Sequence, residues 1–334
     1  MKSLASCLLG VLILTAPAAL PAEDLLRVGG FGRDITGVVA KGKGFFKAAG
    51  IITEYTQVRA SVELMQNFVD GKLDVIHTTA DNPIAWAEGQ GADHKTHDFI
   101  LFLGGRKGLT MELVVGPEFK TFADLKGSGK IFAVDAYNTG YAPVLVYILD
   151  KHGVKLRKDY DMKPLGAGGA RVESILKGET IGGMIGLNEE LKKRGFHVLA
   201  RTQDYLPTYA VAVGAARRDW AKQHEGLLVR YIRALIRSTD WTLDPTNKAE
   251  ALRVIQAVLH NKPAQAAEMY GEATDAQLGL IPRGKIDPEG VRVILQIRQV
   301  MGEMRPPLPS PDKYVDEQYY RKAIASLVAE SGTR

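Results

Sequence analysis

Six short polar stretches carry residue types that could grip a small molecule: "FGRDITG", "HTTADNP", "GGRKG", "DAYNTG", "GAGGARVES" and "GLNEE". In the first, Arg33 follows Phe31 and Gly32, and its planar guanidinium could hold a carboxylate or sulfonate through two hydrogen bonds. The plainer alternative is a surface arginine paired with Asp34. Arg106 has the same chemistry, although its neighbour Lys107 points to a solvated loop tip. Thr78, Thr79 and Asn82 precede or flank Pro83, a residue suited to a first helical turn, so their hydroxyl, amide and backbone N–H groups suit an oxyanion. Thr79, Asp81 or Asn82 could instead cap that helix, and His77 reads as a packed residue at a strand end. Asn138 and Thr139, with Tyr137 or Tyr141 as a flat wall, form a similar device before Pro143. Gly168 and Gly169 would let backbone approach a ligand closely ahead of Arg171, but the stretch lacks the lysine and serine of a phosphate-binding loop. Asn188 completes the candidate ligand-binding set.

Each of these loops must be held by an element on either side. "LLRVGG", "KLDVIHTT" and "KIFAV" read as strands that run into the polar loops, and each is followed by a helical pattern. Two stretches repeat one another: "LLRVGGFGRDITGVVAKGKGFFKAAGI" and "KIFAVDAYNTGYAPVLVYILDKHGV" both pass from strand through polar loop and helix to a glycine, Gly50 and Gly153. Gly71 and Gly178 recur at nearly the same separation, each ending a helix before an apolar strand. Such helix-stop glycines use the left-handed conformation that glycine adopts most cheaply. Strand and helix in alternation predict two similar α/β lobes with parallel-rich sheets. "DFILFLGGRKGLTMELVVGPEFKTFADLKG" and "YAVAVGA" read as strands crossing between the lobes. From Asp219 the chain turns helical, with Asp287 as a cap and Pro288 at a first helical position. "RPPLPSPDKY" is an expected extended strap. The expected division is a lobe of residues 23–112 and 212–334 and a lobe of residues 113–211, hinged as a clamshell with a C-terminal helical layer.

The composition of the 334-residue chain, 46% hydrophobic and 24% charged, is that of a soluble globular protein. A formal charge of +5 with interleaved signs gives no support to nucleic-acid binding. Residues 1–22 read as a secretory signal peptide: Lys2, an apolar core from Leu8 to Leu14, and "TAPAALPA" before a cut after Ala22 or Ala18. The sole cysteine, Cys7, lies in this leader. The processed chain would therefore lack a disulfide, a thiolate metal site and a cysteine nucleophile, and export would place it in a bacterial periplasm.

The stretches "AKGKGFFKAAGI", "LMQNFVDGKLDVI", "FADLKGSGKIFAV", "GYAPVLVYILDKHGV", "ESILKGETIGGMIG" and "STDWTLDPTNKAEAL" together resemble the periplasmic solute-binding proteins of ABC importers. The branch is that of nitrate, sulfonate and taurine, which pyrimidine-precursor binders share. The resemblance implies a type II-like periplasmic-binding-protein clamshell. It implies a monomer that captures a small organic anion or zwitterion between its lobes and delivers it to an inner-membrane permease. It implies no chemistry, cofactor or metal.

The alternative is an enzyme on the same scaffold acting on a small heterocycle or sulfur compound. The resemblance implies that such members rely on a cysteine or a cysteine-rich iron motif, which the processed chain lacks. Two further features invite a role and receive a plainer one. "HKTH" with Asp93 and Asp98 reads as a solvated loop without a complete metal set. Arg230, Arg233 and Arg237 read as a solvated helical stripe.

Overall fold

The computed structural model describes residues 23–127, 129–166 and 168–332; the signal peptide assigned to residues 1–22 lies outside them. The first half of the chain runs β1 (Asp24–Gly30), α1 (Ile35–Gly42), α2 (Phe45–Ala48), β2 (Ile51–Gln57), α3 (Ser61–Val69), β3 (Val75–Thr78), α4 (Asp81–Ala87) and β4 (Phe99–Leu103). It then crosses to β5 (Glu112–Val115), β6 (Lys130–Val134), α5 (Ala142–Lys151), β7 (Tyr160–Pro164), α6 (Gly168–Leu176), β8 (Gly182–Ile185), α7 (Glu189–Lys193) and β9 (His197–Arg201). It returns through β10 (Val213–Arg217) to α8 (Arg218–Gln223), α9 (Glu225–Leu243), α10 (Lys248–Leu259), α11 (Pro263–Thr274), α12 (Pro288–Val300) and α13 (Gln318–Gly332).

The strands form two five-stranded sheets with one wiring plan, in the orders β2-β1-β3-β10-β4 and β7-β6-β8-β5-β9. In each, four strands run in one direction, while the fourth in the order is antiparallel to both neighbours. That strand is β10 in one sheet and β5 in the other. Each belongs to a segment that has just crossed from the opposite lobe and enters its sheet from the far end. The sheets are therefore parallel-rich as expected and mixed by one strand each, and the crossing is the reason. The duplication read from the sequence extends to backbone angles: Gly50, Gly71, Gly153 and Gly178 have φ of 66°, 72°, 68° and 72°. This is the region where a side chain is disfavoured and glycine is not.

α9 and α13 cover the first sheet, burying Ile232, Leu235, Ile236 and Tyr319 against Phe102 and Ala216. The arginine stripe on α9 is not a solvated face. Arg233 donates to Ser326 Oγ at 3.0 Å and Glu330 Oε1 at 2.7 Å, Arg237 pairs with Glu330, and Arg230 reaches the Ala49 carbonyl and Asp24. These contacts staple α9 to α13 and to the start of β1. α12 begins as expected, with Asp287 accepting from the Glu289 N–H at 2.9 Å and Pro288 in the first turn. It packs against α5, so the C-terminal layer touches both lobes. The proline-rich strap ends by pairing with β4, where Leu101 N–H donates to the Tyr314 carbonyl at 2.8 Å.

One apolar core passes from lobe to lobe, joining Leu64, Phe68 and Ile84 to Val144, Ile148 and Ile294. Burial of this continuous surface holds the two halves together along one edge. The loops at the strand ends meet beside that edge.

Candidate functional site between the lobes

β1 and β3 of one sheet and β6 of the other end facing a shared gap. After β1, Asp34 adopts an extended backbone and caps α1, its Oδ1 accepting from the Thr36 N–H at 2.7 Å. The loop before it is pinned by Tyr55, whose hydroxyl donates to the Gly32 carbonyl at 2.6 Å. Arg33 lies over the Tyr55 ring at 5.4 Å from its centroid and has no hydrogen bond or ion pair among the described residues.

After β3, α4 starts at Asp81 with no side-chain cap. Asn82 Nδ2 donates to Thr78 Oγ1 at 2.8 Å, while the buried Asn82 Oδ1 has no partner. At the end of the same strand, His77 Nε2 lies 2.9 Å from the Tyr231 hydroxyl, and the ring also bonds the Ala212 carbonyl. Burial pushes the imidazole below its usual range, against the opposing pull of Asp34.

These loops enclose two adjoining compartments. The first, about 150 Å³, lies between the lobes; Phe31, Asp34, Thr78, Thr79 and Asn82 line it from one side, and Asp135, Gly140 and Tyr141 from the other. The second, about 240 Å³, opens sideways past Arg33 and Arg106 to Met269 and Glu272 of α11. Gly32, Asp34, His77 and Ala212 line both. Together they reach the lower end of the roughly 300–1,000 Å³ usual for small-molecule sites.

The candidates from sequence divide accordingly. Phe31, Thr78, Thr79 and Asn82 come together in the first compartment, and Arg33 and Arg106 in the second. Arg106 is already engaged: it donates to Glu272 Oε2 at 3.0 Å and to the Glu272 carbonyl at 3.1 Å. Its charge is thereby balanced within the wall.

The loop after β6 is engaged by groups of the opposite lobe. Asn138 Nδ2 donates to the Gln90 carbonyl at 2.8 Å, and Thr139, 3% exposed, places its hydroxyl 3.2 Å from that of Ser61. The Gly140 N–H, free by the logic of a helix start, donates to Asp81 Oδ2 at 3.0 Å. The anion these groups meet is a side chain of the opposite lobe. Tyr137, Asn138 and Thr139 line a separate gap of about 260 Å³ on the far side of this contact, reached also by Asp135. Gly168 and Gly169 begin α6, and Asn188 caps α7 by accepting from the Leu191 N–H at 2.9 Å. None of these three lines the compartments described above.

The docking residue that the sequence reading missed is Arg298. Its Nη1 donates to Asp81 Oδ1 at 2.7 Å and to the Asn138 carbonyl at 2.9 Å, and its Nε to Gln90 Oε1 at 3.0 Å. Burial pushes the Asp81 carboxyl up, while Arg298 and the Gly140 N–H pull it down. A signal existed: Arg298 shares a helical face with Val291, Ile294 and Leu295, where a charge is out of place unless paired. Among the described residues no cluster of three or more His, Cys, Asp or Glu could hold a metal ion. The "HKTH" loop is partly packed: His97 lies 2.8 Å from Asp93 and stacks on Phe99 with centroids 5.6 Å apart.

The sequence profile of the NMT1-like family matches residues 34–256. A search of curated protein sequences finds no match. Among solved structures, the chain is similar to the alkanesulfonate-binding protein of Xanthomonas axonopodis pv. citri bound to MOPS. The TM-score is 0.66 at 18% identity, covering 90% of this chain and 100% of that one. It is similar to the periplasmic nitrate-binding protein of Synechocystis PCC 6803, with a TM-score of 0.69 at 15% identity over 91% of this chain and 88% of the other. A cysteine-to-serine mutant of DszB in complex with biphenyl-2-sulfinic acid gives a TM-score of 0.61 at 15% identity over 91% and 99%. These likenesses establish the fold, a two-lobed periplasmic-binding-protein clamshell.

Proposed function

The chain belongs to the NMT1-like family, and on that premise we propose that it is the solute-binding component of an ABC importer, working in the periplasm as a monomer. It takes a small organic anion or zwitterion into the gap between its lobes and presents it to a membrane permease. The observation that carries this reading is convergence: loops from the carboxyl ends of β1 and β3 and of β6 line one compartment. Strand ends are where open α/β sheets hold ligands. A solute touching both sides stabilises the closed arrangement by its contacts to each lobe. The names of the sulfonate- and nitrate-binding neighbours support the solute class, and the leader-like residues 1–22 support export.

We read the protein as non-catalytic although DszB shares its fold. The sequence has one cysteine, Cys7, placed in the leader. His77, the histidine at the gap, is occupied by Tyr231 and Ala212. Thermal unfolding against sulfonates, aliphatic and aromatic carboxylates, nitrate and pyrimidines tests the reading. A true solute raises the melting temperature saturably, because ligand at a hundred times its Kd adds about 2.7 kcal/mol to the native state. The same solute should be recovered unchanged. Turnover of the bound compound, or no stabilisation by any of these classes, would defeat the proposal.

A further inference from the structure

Resting on the binding-protein reading, we propose that the compartment between the lobes selects the amine end of an elongated zwitterion, whose anionic end lies over Arg33. Simple oxyanions would then be poor ligands. The charges on the walls carry this. Asp34 and Asp135 face the inter-lobe compartment from opposite lobes, and no lysine or arginine lines it. Asp34 spends Oδ1 on capping α1 and leaves Oδ2 uncommitted. Asp135 makes no side-chain hydrogen bond or ion pair among the described residues. Arg171 lies over the Tyr141 ring, 5.8 Å from its centroid, and donates to the Met184 carbonyl; its charge is felt at Asp135, but it is outside the lining.

A second observation is independent of the carboxylates. Asn82 is 1% exposed and lines the same compartment, yet its Oδ1 has no donor while its Nδ2 is held by Thr78. A buried acceptor without a partner is costly until an N–H or O–H reaches it. An ammonium group brings three such donors and a positive charge to a compartment with an acidic side chain on either wall. An oxyanion there would meet like charge from both lobes and leave Asn82 Oδ1 unsatisfied.

The adjoining compartment shares Asp34 but adds a guanidinium. Arg33 is unpaired, whereas Arg106 is balanced by Glu272. A molecule spanning both compartments thus meets acceptors at one end and a guanidinium at the other.

The test is calorimetric titration of the purified protein with ω-amino sulfonates and ω-amino carboxylates of two to five carbons, each beside its desamino analogue, and with nitrate. Asp34→Asn and Asp135→Asn are measured alongside; asparagine caps a helix as well as aspartate at position 34, and Asp135 makes no side-chain hydrogen bond among the described residues, so both variants should fold. The amino member should bind about tenfold tighter or more than its analogue, and each variant should lose about tenfold for the amino member alone. Desamino analogues or nitrate binding as tightly as the amino compounds, with the variants unchanged or tighter, would overturn this inference and leave the binding-protein reading standing. Absence of saturable binding by every compound would likewise overturn this inference, whereas the binding-protein reading stands or falls on the wider thermal-unfolding panel.

Discussion

Arg298 Nη1 stands 2.7 Å from Asp81 Oδ1, and both side chains are fully buried. The pair lies where the lobes meet: Asp81 opens α4 of the first lobe and also accepts the Gly140 N–H of the second, while Arg298 donates to the Asn138 carbonyl. Charges removed from water so completely are tolerated only when each hydrogen bond is made. The contact therefore fixes how the lobes dock along this edge.

Removing one member should cost far more than an exposed ion pair would. Arg298→Met keeps the volume and leaves Asp81 without its cation, so chemical denaturation should show a loss of about 3–5 kcal/mol. Asp81→Asn should be similarly damaging, and the double variant should lose less than the two single losses added together. Strict additivity would mean the two side chains are not coupled.

Arg33 should contribute to ligand affinity and little to folding. Its guanidinium has no protein partner beyond the Tyr55 ring among the described residues. Arg33→Ala should weaken binding of an anion-bearing solute by about tenfold or more, the worth of a charge-assisted hydrogen bond, with the melting temperature of the free protein almost unchanged. Unaltered affinity would remove Arg33 from the site.

Gly140 should not tolerate a side chain. Its φ is 70°, and an added Cβ would lie 2.9 Å from Asp135 Oδ2. Gly140→Ala should lower stability by about 1–3 kcal/mol, and displacement of Asp135 should weaken solute binding as well. A fully stable variant with normal affinity would contradict the close approach of Gly140 to Asp135.

Acidification should act through His77. Burial depresses its imidazole in the folded protein. The unfolded chain thus takes up the proton first, near pH 6.5. The stability contribution is present above that value and declines as pH falls toward the folded-state value. Melting temperatures between pH 8 and pH 5 should fall more steeply in the native protein than in His77→Gln. Parallel curves would exclude the histidine as the source.

Much of the architecture was legible because it follows from local rules. Gly50, Gly71, Gly153 and Gly178 marked helix ends in a repeated order, and each has the positive φ that glycine permits. Pro288 after Asp287 marked the start of α12. The antiparallel placement of β5 and β10 was not legible, since it depends on the end from which a crossing strand enters its sheet.

The polar loops were legible as loops, and less so as a site. Their residue types gave the chemistry available, but which partner each group meets depends on chain segments far away. Asn138 and Thr139 have the composition of a ligand loop, and Gln90 and Ser61 occupy them. Arg106 looked like a free cation until Glu272 of α11 was brought beside it.

The sequence by itself determined the repeated strand-loop-helix units, the glycine punctuation and the absence of cysteine after Cys7, because these depend on residue type and near neighbours. Only the tertiary structure decided which charges remain unspent. Asp81 and Arg298, 217 residues apart, neutralise one another at the lobe contact, whereas Asp34, Asp135 and Arg33 are left facing open compartments. The reason is that a hydrogen bond or ion pair is settled within a few ångströms of space, and distance along the chain does not report it.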